Sequence, residues 1–244
     1  MTKEEKASLL VLIRNKYNLY LIIGTFILLG YELFNDTPSL MIITPGGYYS
    51  FIAMIICFIV GIFIPILTGA FMGGYERSTG MLDYKLVAQS LKTWIKTQFT
   101  AMIKFFIAIL LFMSLLGAFL DLINNSSTGF YLYYSIPRFL IILFIWIFWG
   151  TLSFLISLLL RSPAMSFIIC SAYFYIEQYL YFPSGILWNQ KSILHVIFNE
   201  DNLPYGIVQS SFHSFSSSLI YLSVLLVTII AIIIFYLKNA YPNK

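Results

Sequence analysis

The charged side chains are few, and their positions limit the chemistry open to this chain. Fourteen Lys and Arg and ten Asp and Glu stand among 244 residues. Five of the basic residues, Arg77, Lys85, Lys92, Lys96 and Lys104, fall between Gly73 and Lys104, beside Glu76 and Asp83 and around a break at Gly80. No GxxxxGK followed by Ser or Thr occurs, so the chain has no P-loop to cradle nucleotide phosphates; HExxH and GxSxG are absent too. His195 and His213 stand apart from other ligand types, which argues against a metal site. Cys57 and Cys170 lie inside apolar runs and read as small buried hydrophobes. Catalysis by this chain is not expected.

Ionised groups are costly in hydrocarbon, so charges inside apolar runs are functional candidates. Glu177 leads them, about thirteen residues and roughly 20 Å into its run at 1.5 Å per residue. It either lines an aqueous path or pairs across an interface, against the plainer reading of an interfacial acid. Asp121 and Arg138 sit at helix ends, and Lys104 is placed to snorkel toward the surface.

The elements that must position these groups are membrane helices. The chain is 60% hydrophobic and 10% charged, with mean hydropathy +0.88, where soluble domains carry about a quarter charged residues. Six runs approach or reach the length needed to cross about 30 Å of hydrocarbon: Tyr17 to Phe34, Tyr48 to Met72, Thr100 to Ile123, Pro137 to Leu160, Ala164 to Phe182 and Ser217 to Leu237. Unpaired backbone groups are not tolerated in lipid, so these runs predict helices. The fold class expected is an all-α integral membrane protein of six spans, forming a single domain over residues 1–244. Residues 1–16 put Leu9, Leu12 and Ile13 on one face and suit an amphipathic elbow helix at the bilayer surface. Residues 183–216 hold two short apolar pieces around NEDNLP and predict an outer helical hairpin.

Twelve of the fourteen basic residues fall in segments on one side of these spans, and Arg138 and Lys191 on the other. The positive-inside rule then puts both termini and the Gly73 to Lys104 stretch in the cytoplasm of a multi-pass plasma-membrane protein. Span two carries Gly61, Pro65, Gly69 and Gly73 at steps of four, which predicts a bend at the proline and close approach of another helix, within the chain or across a dimer seam. Gly150, Ser153 and Ser157 offer a weaker surface of the same kind on span four, where Trp146 and Trp149 are expected to face protein. Between spans two and three, Gly80 breaks the helix, MLDYKLV makes about two turns with Leu82 and Leu86 on one side, and Ser90 is the N-cap of the next helix.

This layout resembles the permease subunits of ABC-2-type exporters. The resemblance is carried by Glu76 just after span two, the small residues around Gly80, the short apolar helix, the basic approach to span three, LSFLISLLLRSPAMSF with Arg161 at a short turn, and the outer hairpin. Met81 stands where Thr often follows the Gly, and Ala88 near where Pro is frequent. The resemblance implies two copies, as a homodimer or with a related permease, joined to separate ATP-binding subunits that carry ATP and Mg. The chain itself would bind no cofactor, and its remaining partner is the bilayer, not nucleic acid.

The helix around Thr79 to Ala88 would be the coupling helix within a cytoplasmic region of residues 75–99. Glu76, Arg77, Thr79, Gly80, Leu82, Asp83, Tyr84, Lys85, Leu86 and Arg161 would form or flank its contact, with Glu76, Asp83, Tyr84 and Lys85 as the docking surface. Nucleotide-driven closure would move spans one, two and five, and Thr25, Tyr173 and Glu177 would line the central cavity. The Ile, Asn, Lys and Tyr bias suits an AT-rich Gram-positive genome, where such permeases resemble exporters of amphipathic antimicrobial or toxic peptides, phenol-soluble modulins included, with associated self-immunity. Drugs, lipids and polysaccharides are the family's other cargoes. An ion-coupled carrier or channel is the alternative, for which Glu177 would be the key residue.

Overall fold

The computed structural model describes residues 3–35, 61–88, 90–124, 131–180, 186, 189 and 215–241. Eight helices and no strands occur among them. They are α1 (Lys3–Arg14), α2 (Lys16–Asn35), α3 (Phe63–Ser78), α4 (Met81–Ala88), α5 (Leu91–Asn124), α6 (Tyr131–Leu160), α7 (Pro163–Leu180) and α8 (Phe215–Ala240). Among the described residues three segments are long and apolar enough to cross a membrane: Leu91–Gly117 in α5, Phe139–Leu160 in α6 and Ser216–Ala240 in α8. They mark the chain as a membrane protein. Most of the expected outer hairpin and the first part of span two lie outside the described residues, as do Cys57, His195 and His213.

The chain divides into two compact units, Met1–Pro65 with Thr100–Ile147, and Ile66–Phe99 with Phe148–Lys244. In the first, α1 and α2 are separated by Asn15, whose Oδ1 accepts the Tyr17 N–H at 3.0 Å and so caps α2. The Asn18 amide donates to the Leu12 carbonyl at 3.3 Å and ties the corner together. Leu12 is buried while Leu10, Val11 and Ile13 are exposed, so the apolar residues of α1 are divided between packing and the outside. Lys104 Nζ lies 3.0 Å from Glu5 Oε2, linking α5 to α1 where the sequence predicted a lysine reaching for the surface. Trp146 is buried edge-to-face against Phe106, with ring centroids 5.5 Å apart.

The second unit is built on a seam between α3 and α6. A Cβ at Gly69 would overlap the Gly150 backbone, and one at Gly73 would overlap the Phe154 carbonyl. Only glycine lets the two backbones approach this closely. The Ser153 hydroxyl donates to the Ile66 carbonyl at 2.7 Å and the Ser157 hydroxyl to the Ala70 carbonyl at 2.6 Å. Residue numbers rise together along both partners, so the helices run in the same direction. Gly69 and Gly73 thus meet a face of their own chain, and the small-residue surfaces read separately on spans two and four are halves of one contact.

Pro65 lies at the third residue of α3. First-turn amides have no intrahelical acceptor, so the proline fits there without the mid-helix bend expected of it. At the other end, Gly80 has φ +72° and donates its N–H to the Arg77 carbonyl at 3.3 Å, closing α3 in the left-handed conformation that glycine tolerates. Ser162 caps α7, its Oγ accepting the Met165 N–H at 3.3 Å, with Pro163 at the first helical position. Arg161, in the two-residue turn before it, is exposed with φ +55°.

Candidate functional site

Helix α4 is short, lies between two chain breaks and is fastened on one side. Leu82 and Leu86, four residues apart, are 1% and 4% exposed, which places the predicted leucine pair on the packed face. Ser90 Oγ accepts the Thr93 N–H at 3.3 Å, the predicted cap at the start of α5.

Glu76 organises the corner. Its Oε2 accepts the Trp94 indole N–H at 2.8 Å, and its Oε1 accepts the Gln98 amide at 3.1 Å. Lys85 of α4 forms a salt bridge to the same Oε1. One carboxylate from the last turn of α3 therefore holds α4 through Lys85 and α5 through Trp94 and Gln98. The Trp94 and Gln98 side chains are buried, so this acceptor has no ready replacement from water. Trp94 and Gln98 are four apart and share a face of α5; that spacing was readable in the sequence, but nothing there aimed the face at Glu76.

Arg77 fixes the level at which three helices end. Its Nη1 donates to the Leu158 carbonyl of α6 at 2.7 Å, and its guanidinium carbon lies 4.8 Å from the centroid of the Tyr236 ring on α8. A carbonyl in the last turn of α6 lacks a helical partner, and a cation there also complements the helix dipole. Just beyond α8, the Tyr241 hydroxyl hydrogen-bonds to Asp83 of α4. Burial, followed by that hydrogen bond and the Asp83 charge, holds the Tyr241 phenol above its ordinary range, so it remains a proton donor.

The expected docking residues thus separate by environment. Glu76 and Lys85 face one another and Asp83 is bonded to Tyr241, whereas Tyr84 is 81% exposed. Val87 is 78% exposed, and Met81 is exposed as well. Thr79 turns its hydroxyl back to the Tyr75 carbonyl at 2.9 Å and finishes α3.

Of the expected cavity residues, Tyr173 and Glu177 are brought together on α7 by a side-chain hydrogen bond. Glu177 is buried, and Trp149 packs near this pair, 6.3 Å from Tyr173 and 5.6 Å from Phe174 between ring centroids. Thr25 belongs to the first unit, where its hydroxyl donates to the Leu21 carbonyl of its own helix at 2.7 Å. Among the described residues no cluster of three or more His, Cys, Asp or Glu could hold a metal ion. No family model, curated protein or solved structure matches the chain.

Proposed function

We propose that this chain is the membrane-spanning permease subunit of an ATP-driven exporter of the ABC-2 kind, with α4 as the helix that receives force from a separate ATP-binding subunit. The observation that carries the reading is the construction of α4: one face holds the buried Leu82 and Leu86 and is tied through Lys85 to the Glu76 carboxylate, which also holds α5, while the other face is exposed. A helix that transmits a push needs this combination of a rigid mount and a free contact face. Because Glu76 belongs to α3 and receives donors from both α4 and α5, displacement of α4 would pass into two long helices together.

In this proposal the chain has six spans, α1 is an elbow helix at the bilayer surface, and residues 183–216 form an outer hairpin. Both termini and α4 lie in the cytoplasm. Two permease chains enclose the path, the ATP and Mg are held by the partner subunits, and Tyr173 and Glu177 contribute to the lining. Amphipathic peptides are the favoured cargo, since an aromatic-rich apolar path suits them. The hydrogen-bonded Tyr173 and buried Glu177 also favour a second reading, an ion-coupled carrier in which Glu177 exchanges a proton or cation.

The deciding experiment is purification of the tagged chain in mild detergent from its native host, followed by mass spectrometry of what accompanies it. Stoichiometric recovery of a P-loop ATPase is the expected result. Recovery of the intact chain alone would overturn the exporter reading and turn attention to Glu177.

A further inference from the structure

We infer that α4 docks through an aromatic and apolar knob, Tyr84 flanked by Met81 and Val87, into an apolar cleft rimmed by carboxylates on the partner protein. The inference rests on the exporter reading and specifies the chemistry of its docking contact. Met81, Tyr84 and Val87 recur at steps of three and so share one face of the helix, opposite the buried Leu82 and Leu86. All three are exposed, and Tyr84 stands at their centre. An aromatic residue ringed by apolar neighbours is the usual composition of a binding hot spot.

The charges closest to the knob are fastenings within the chain. Lys85 is paired with Glu76, and Asp83 is bonded to Tyr241. Among the described residues the cations left exposed at this end of the unit are Lys92 and Lys96 in the first two turns of α5, Arg161 near Tyr241, and Lys238 in the last turn of α8. A partner complementary to that field carries acidic groups around the cleft that takes the knob. A bilayer is the poorer occupant. Three apolar residues on an eight-residue helix make a narrow face, and the exposed Asp83 beside Tyr84 would meet anionic headgroups.

Two measurements on the full chain test this. In the first, the ATPase recovered per permease is compared among variants that elute as a single species on size exclusion. Tyr84→Ala, and separately Met81→Ser with Val87→Ser, should lower recovery about tenfold or more, as loss of a hot spot does. Lys92→Glu with Arg161→Glu should lower it several-fold, and Asp83→Asn should keep it within about twofold, as rim and uninvolved positions do. Full recovery with Tyr84→Ala while the wild type also recovers ATPase would overturn the knob alone; failure of the wild type to recover any would overturn the exporter reading with it.

In the second, Cys57 and Cys170 are replaced by alanine and Val87→Cys, which keeps Tyr84 in place, carries an environment-sensitive dye in nanodiscs containing phosphatidylglycerol. The dye should report water in nanodiscs alone and an apolar site once the purified ATPase is added. An apolar signal before the ATPase is added would overturn the inference and assign this face to the bilayer.

Discussion

Helix α3 meets its neighbours in two different ways within one unit. Along Gly69 and Gly73 it touches α6 through backbone, with no side chain between them; one turn further on, at Glu76, it reaches α4 and α5 through a carboxylate that accepts several donors. The first contact depends on the absence of atoms and the second on the presence of one group. In the six-span arrangement we propose, the seam lies in hydrocarbon, where there is no hydrophobic drive between helices, so close fit and short hydroxyl-to-carbonyl bonds such as Ser157 to Ala70 hold them. Where the chain becomes polar, a charge can be satisfied, and one acid can coordinate three partners on two other helices. The seam fixes position, and the carboxylate joins it to the element that we propose receives force.

The largest effect should come from filling the seam. Gly73→Leu places side-chain atoms against the Phe154 carbonyl, and overpacking of this kind costs about 3 kcal/mol or more when backbone must move. Loss of the monodisperse peak after mild heating in detergent is the expected readout, and an unshifted midpoint would show that the helices separate freely. Glu76→Ala comes next. It orphans the buried Trp94 and Gln98 donors, a loss of about 2 kcal/mol, while the half-exposed Lys85 rehydrates and adds little. Its midpoint should fall by less than that of Gly73→Leu; an equal or larger fall would reverse the ranking of the two contacts.

Smaller changes sharpen the comparison. Ser157→Ala removes a single hydroxyl-to-carbonyl bond from the seam and should cost about 1 kcal/mol, with the midpoint between wild type and Glu76→Ala. The Tyr241 bond to Asp83 should contribute least. Because its phenol is held above the ordinary value near 10, its stabilisation is complete below that pH and is lost as pH rises through the raised value. Heating the wild type and Tyr241→Phe across the alkaline range should therefore give curves that differ slightly near neutrality and converge at the top. A wild-type advantage that grew with pH would contradict the assignment.

The parts legible in the sequence are those governed by neighbours along the chain. Gly80, the Leu82 and Leu86 pair and Ser90 specified a short helix between two breaks because caps and helical spacing act within a turn or two. Gly69 and Gly73 were legible as a packing row, yet their partner was not, because a close approach is recorded in the small residue and not in what it meets. Glu76 was visible as an acid at a helix end. Its partners Lys85, Trp94 and Gln98 lie nine, eighteen and twenty-two residues onward, across two changes of chain direction that no local spacing encodes. The same distance hid the fact that Lys85 faces inward, leaving Tyr84 as the outward group of α4. Pro65 was misplaced for a related reason: the apolar run continues past it, and only the structure shows the helix beginning two residues earlier.

We propose that α4 is fastened on one face and presented to the cytoplasm on the other, and single cysteines along it test both points. With Cys57 and Cys170 replaced by alanine, cysteines at Met81, Tyr84 and Val87 should react with a membrane-impermeant maleimide in inside-out vesicles that lack the ATPase and not in intact cells, while cysteines at Leu82 and Leu86 should stay unlabelled until the protein is denatured. Labelling of position 84 in intact cells, or equal labelling around the helix, would contradict it.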